Sequence, residues 1–173
     1  MEMRIRPESG FTLIELILAL ALVAILVAVA LPSYRSLRQE QMVRAATQAL
    51  YTDMMLLKSE AIKRGGPLTL KLFNAGQSNW CYRIAIDATC SSCADHCSSI
   101  EGRKGADANE FGGVVIDASN QYKSGSTASI TFTPRRGTFL GGNLIVSNDA
   151  STTNRVVIAT YGRISTCVEG DTC

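Results

Sequence analysis

Gly10-Phe11-Thr12-Leu13-Ile14-Glu15-Leu16-Ile17-Leu18-Ala19-Leu20-Ala21-Leu22-Val23-Ala24-Ile25-Leu26-Val27-Ala28-Val29-Ala30-Leu31 is the stretch on which the reading of this chain turns. From Phe11 to Leu31 it runs for 21 residues, and Glu15 is their one ionisable side chain. A helix of about 20 apolar residues crosses the hydrocarbon core of a bilayer, so a purely cytosolic globular protein is excluded. Arg4 and Arg6 come just before the run. Positive residues favour the cytoplasmic side, which sends the rest of the chain across the membrane. The polar start, Met1 to Gly10, is short, and no small-residue cleavage signature follows Leu31. The apolar segment is therefore expected to stay attached instead of leaving as a secretory signal.

Outside this segment, roughly 140 of the 173 residues remain, enough for one modest core. Lys and Arg total 17 against 15 Asp and Glu, so no global polyelectrolyte partner is implied. Apolar residues recur throughout, which argues against disorder. Six cysteines in so small a soluble portion point to an oxidising compartment. Together these features predict a membrane-tethered domain outside the cytoplasm.

Pro32 is where a kink or local helix break is expected. Beyond it, Val43, Ala46, Leu50, Met54, Leu57 and Ala61 recur at spacings of three and four, with Gln41, Gln48, Thr52, Ser59 and Lys63 opposite. This predicts an amphipathic helix laid on a sheet and stopped by Gly65-Gly66-Pro67. Leu68, Leu70 and Leu72 then alternate, as do Trp80, Tyr82, Ile84 and Ile86. Segments 114–116, 129–133, 138–146 and 155–160 are β-branched or aromatic and are separated by Gly, Asn, Ser and Asp. One long helix followed by short strands predicts an α+β fold with a mainly antiparallel sheet.

Glu15 calls for a more specific explanation than a simple anchor. An ionised side chain at the centre of a spanning helix costs about 2.5–3.5 kcal/mol on insertion scales. Residues 12–34 hold no cation to compensate it. A free α-amino group at Phe11, created by cutting after Gly10, supplies one if helices bundle and the amine of one chain meets Glu15 of its neighbour.

The segment Gly10-Phe11-Thr12-Leu13-Ile14-Glu15-Leu16 resembles the processing motif of type IV prepilins and type II secretion pseudopilins. The resemblance implies cleavage between Gly10 and Phe11 by a prepilin peptidase, N-methylation of Phe11, and a role for Glu15 in assembly. It implies three parts: a leader over 1–10, a transmembrane and filament-core helix over 11–34, and a periplasmic pilin head over 35–173. Further along, Leu57-x-Ser59-Glu60-Ala61 with Lys63-Arg64, Ile130-Thr131-Phe132-Thr133-Pro134 with Gly137-Thr138, and Arg155-Val156-Val157-Ile158 with Gly162-Arg163 resemble the GspH/FimT group, which includes FimU-type minor pilins. The insert 81–109 is not part of that shared pattern.

What the resemblance implies is a type IV pilin-like fold and a structural function. The chain would be a minor pilin at the pilus tip that helps initiate assembly. The alternatives are a DNA-binding pilin for natural transformation and a minor pseudopilin of type II secretion. Expected partners are other minor and major pilins, the prepilin peptidase and the inner-membrane assembly machinery. The implied location is the bacterial inner membrane with the head in the periplasm, then the pilus at the cell surface. No cofactor and no enzymatic activity are expected: His96 is the sole histidine and no serine lies in a G-x-S-x-G elbow.

Two further groups carry chemistry. Cys90-x-x-Cys93-x-x-His96-Cys97 has spacing that suits zinc, but in an oxidising compartment the same thiols form disulfides. Six cysteines allow fifteen pairings. The preferred assignment joins Cys167 to Cys173 and leaves Cys81, Cys90, Cys93 and Cys97 to pair among themselves. Arg135, Arg136, Arg155 and Arg163 are read either as solvated residues at turns and strand ends or as a basic surface for phosphates. Competence pilins related to this group carry a C-terminal Gly-Arg-x-Arg motif; here the residues are Gly162-Arg163-Ile164-Ser165, and the second arginine is missing.

Overall fold

The computed structural model describes residues 10–86, 90–94, 104–150 and 152–168. Expectations placed on Arg4, Arg6, His96, Cys97 and Cys173 fall outside these residues. The chain divides into two compact units, Met1–Leu37 and Arg38–Cys173. A single helix, α1 (Leu13–Arg64), contributes to both.

In the first unit, the side chains from Phe11 to Leu31 are all exposed. An 18-residue window reaches a mean hydropathy of 3.0 with none of it buried. Helix α1 continues through Pro32, so the local break expected there does not occur. A proline inside a helix has no N–H to donate to the carbonyl four residues back, here that of Ala28, and its ring crowds that carbonyl, yet the helical backbone is unbroken across it.

In the second unit, the stripe Val43, Ala46, Leu50, Met54, Leu57 and Ala61 is buried to 1% exposure or less. The helix ends where Gly65 turns to φ +66° and its N–H donates to the Ile62 carbonyl at 3.2 Å. A left-handed residue just past the last helical turn is the usual place for glycine.

Among the described residues ten strands follow: β1 (Leu68–Phe73), β2 (Cys81–Ala85), β3 (Gly105–Asp107), β4 (Val114–Ala118), β5 (Lys123–Ser124), β6 (Thr127–Thr133), β7 (Thr138–Phe139), β8 (Gly142–Asn148), β9 (Thr153–Ile158) and β10 (Ile164–Val168). They form two antiparallel sheets, one in the order β3-β2-β1-β6-β5 with β7 also on β6, the other in the order β10-β9-β8-β4. The segment expected as one strand over 138–146 is divided at Leu140-Gly141. Its first part pairs with β6 in one sheet and its second with β4 and β9 in the other. Gly141 permits the crossing, since a Cβ there would come 2.9 Å from Thr160 Cγ2.

Alternate residues of both sheets meet the helix stripe in one core. Leu68, Leu70, Leu72, Ile130 and Phe132 come from the first sheet, and Ile116, Leu144, Val146, Val156 and Ile158 from the second. Strand β2 departs from this alternation, because all five of its residues are buried. Tyr82 and Ile84 face the main core, whereas Cys81 and Ala85 pack with Phe73 and Cys90 in a second cluster on the other face.

Candidate functional site

Three regions hold the residues singled out by the sequence. At the N-terminal end, α1 begins at Leu13, and Thr12 is its cap. Thr12 Oγ1 accepts the Glu15 N–H at 3.3 Å, and the Thr12 carbonyl accepts the Leu16 N–H at 3.2 Å. This side-chain bond satisfies one of the donors that every helix start leaves unpaired. Gly10 and Phe11 therefore lie outside the helix, and both are exposed. Glu15 sits in the first turn, where the helix dipole favours a carboxylate. Among the described residues its carboxylate meets no cation.

From the cysteine-rich insert, Cys90 and Cys93 pack against Phe73, Cys81 and Ala85 on the outer face of β1 and β2. Cys81 and Cys93 form a disulfide with a Cα–Cα separation of 6.0 Å. Cys90 and Cys167 each belong to a disulfide too, and among the described residues the pairing that is fixed is Cys81–Cys93. The zinc alternative needs thiolates, and in this structure Cys90 and Cys93 are oxidised. Two cations hold the insert from below. Lys71 and Arg83 are directly opposite each other across β1 and β2. Like charges so placed repel unless acceptors surround them. Lys71 Nζ donates to the Cys90 carbonyl at 2.9 Å, and Arg83 donates to the Cys93 carbonyl at 3.2 Å. Arg83, only 2% exposed, also donates to the carbonyls of Tyr82 and Ala106 and to Asp107 Oδ1 at 2.7 Å. Gly105 makes the close approach of β3 possible, since any Cβ there would overlap the Tyr82 carbonyl oxygen.

Sequence reasoning missed Arg83 because a charged residue between Tyr82 and Ile84 reads as the solvent face of a half-buried strand. The available signal was its position inside the span of the first cysteines. Asp53 was missed as well, although it lies three residues after Leu50 on the apolar stripe. It accepts the Tyr82 hydroxyl at 3.0 Å and lies 3.2 Å from Lys104 Nζ. Burial first, and then the Asp53 carboxylate, push the Tyr82 phenol well above its ordinary range, so Tyr82 stays a neutral donor.

The clamp gives a direct prediction. Closing a loop of this size, with a sequence separation of 12, stabilises by about 2–4 kcal/mol. A Cys81→Ser/Cys93→Ser double variant is expected to lose about that much and to be cut faster by protease within the insert. In the unaltered protein, Cys81 and Cys93 should react with a thiol label only after reduction. Rapid labelling of both without reductant would contradict the disulfide.

The arginines are divided by the fold. Arg135 and Arg136 occupy the β6–β7 turn and Arg163 the β9–β10 turn, all three exposed. These turns touch, because a Cβ on Gly162 (φ +82°) would come 2.7 Å from the Gly137 carbonyl oxygen. Arg155 instead lies on the exposed side of β9 and is not part of that turn pair. None of the four has a carboxylate partner among the described residues.

Comparison with known proteins adds to these observations. The family model described as type II transport protein GspH matches residues 46–162, and the prokaryotic N-terminal methylation motif matches residues 5–31. Two crystal structures of the type IV minor pilin FimU from Pseudomonas aeruginosa (strain PAO1) share the fold. The one in space group P65 has a TM-score of 0.52 at 16% identity, covering 71% of this chain and 90% of that one. The one in space group P21 has a TM-score of 0.53 at 14% identity, covering 71% of this chain and 86% of that one. A search of curated proteins finds no match.

Proposed function

Because the chain belongs to the GspH family of pilins and pseudopilins, a structural family, we propose that it is a minor type IV pilin that enters the pilus at its tip and helps initiate assembly. The observation that carries this reading is the capped helix start. The Gly10–Phe11 bond lies just outside α1, and the 21 residues that follow expose their apolar side chains along the helix. So large an apolar surface requires an apolar environment that the rest of the chain does not provide. A bilayer supplies it before assembly, and neighbouring helices supply it afterwards. Residues 1–10 are then a leader removed by the prepilin peptidase, residues 11–34 the membrane and filament-core helix, and residues 35–173 a periplasmic head anchored at the inner membrane. The oxidised cysteines agree with a periplasmic head. The shared fold with a type IV minor pilin favours a pilus over a secretion filament.

The test is a deletion strain. Surface pili should disappear and return on complementation, and label on the head should lie at filament ends. The chain recovered from sheared pili should begin at Phe11 and carry an added methyl on its amine. Intact Met1 in cells with active prepilin peptidase would overturn the processing. Normal pili with lost protein secretion would turn the assignment to a type II pseudopilin.

A further inference from the structure

We propose that Arg83, together with Lys71, selects the disulfide partner of Cys81: the two cations hold the insert so that Cys93, and not Cys90, meets it. Both are positioning residues for an oxidation step. The proposal goes beyond the pilin reading and does not depend on it.

Cys81 has two candidate partners close by. Cys90 is buried in one cluster with Phe73, Cys81 and Ala85, and Cys93 packs against that same cluster. Pairing Cys81 with Cys90, or Cys90 with Cys93, would close a shorter loop than the bond observed, whose sequence separation is 12. Closing a shorter loop costs less chain entropy, so chain statistics work against Cys81–Cys93. The selection has to come from the fold.

Strand register supplies it. Lys71 lies on β1 directly opposite Arg83 on β2, and Arg83 is two residues after Cys81, on the same face of its strand. Lys71 Nζ donates to the Cys90 carbonyl at 2.9 Å, which ties Cys90 to β1. Arg83 Nη2 donates to the Cys93 carbonyl at 3.2 Å, which ties Cys93 to β2, the strand that carries Cys81. The same Nη2 donates to Asp107 Oδ1 at 2.7 Å, and Asp107 is the β3 residue paired with Cys81. Nη1 donates to the carbonyls of Tyr82 at 2.8 Å and Ala106 at 3.2 Å. The guanidinium is therefore aimed by β2 and β3 before the insert arrives.

Stability alone does not account for this arrangement. Arg83 is buried, and its Nε has no hydrogen-bond partner among the described residues. An apolar side chain would fill the same place without that penalty. The buried cation is explained by what it specifies.

The oxidation is a thiol–disulfide exchange. One cysteine thiolate attacks the disulfide of a dithiol-type oxidant, forming a mixed disulfide and releasing one oxidant thiol. The second thiolate then displaces the other oxidant sulfur. Cys81 and Cys93 together give up two electrons and two protons, and the oxidant leaves as a dithiol. Arg83 and Lys71 act on which cysteine is presented for the second displacement.

The experiment takes the full-length chain, extracted from membranes in detergent, and equilibrates it in a mixture of oxidised and reduced glutathione that permits exchange. Free thiols are blocked, and the linked peptides are fragmented between Cys90 and Cys93 to read the partner of Cys81. The unaltered chain should give Cys81–Cys93. In Arg83→Met and in Lys71→Met, the ratio of Cys81–Cys93 to Cys81–Cys90 and Cys90–Cys93 should fall by about tenfold, as for losing a hydrogen bond to a charged group. Lys71 is only half-buried, so its variant serves where Arg83→Met does not fold. Val156→Ala, which removes core volume from the other sheet, should lower stability and keep the pairing. An unchanged ratio in Arg83→Met, or in Lys71→Met where Arg83→Met does not fold, would overturn the proposal. So would an equal fall in Val156→Ala, or mixed pairing in the unaltered chain.

Discussion

Glu15→Ala is expected to leave the chain in the membrane at its normal amount while removing it almost entirely from sheared pili. The substitution takes an ionisable group out of the apolar helix, so insertion is preserved or improved. Assembly is different. In a packed bundle of such helices the Phe11 amine of one chain sits in an apolar environment, and Glu15 of its neighbour is the group available to compensate it. Leaving one member of a buried ion pair uncompensated costs about 3–5 kcal/mol. Every 1.4 kcal/mol is a factor of about ten in an equilibrium, so incorporation should fall by at least about a hundredfold. Quantitative immunoblotting of membrane and sheared-pilus fractions measures both halves of the prediction. Pili containing the variant at the unaltered level would rule out the pairing.

The second large effect concerns the head. Trp80 is 1% exposed and stands immediately before β2, and its indole Nε1 donates to the Val114 carbonyl at the start of β4, 2.7 Å away. It thereby ties one sheet to the other. Its ring also stacks between Tyr82, at a centroid distance of 6.1 Å, and Phe111, at 6.3 Å. Trp80→Ala removes all of this and leaves a cavity where both sheets meet the helix, at a cost of about 3–5 kcal/mol. Trp80→Phe keeps much of the stacking but leaves the Val114 carbonyl unpaired, which costs about 1–3 kcal/mol. Denaturant unfolding of the solubilised chain, followed by circular dichroism, should rank the variants in that order. A loss below about 1 kcal/mol for the alanine variant would mean that Trp80 does not join the sheets.

Much of this was legible along the chain because it is local. The apolar run, the stripe from Val43 to Ala61 and the Gly65 stop depend on residues within a few positions of one another. Helix periodicity and capping are written at that range. The alternation of Leu68, Leu70 and Leu72 marked a strand for the same reason. Of the kink or local break expected at Pro32, the break does not occur, since α1 runs unbroken through it.

What only the tertiary structure decided involves residues far apart in sequence. The strands divide into two sheets at Leu140-Gly141, between β7 and β8, and no local pattern encodes that crossing. Arg83 is buried where the Cys93 carbonyl, ten positions on, meets its guanidinium; alternation alone would have placed it in water. The contact between the Arg135–Arg136 turn and the Arg163 turn rests on backbone packing between Gly137 and Gly162, 25 positions apart in the chain. The sequence by itself determined the long apolar helix and the α+β class, since hydrophobic length and periodicity act through neighbours. The sheet partition, the burial of Arg83 and the assembled arginine turns belong to the tertiary structure, because close approach and burial exist only once distant segments have packed.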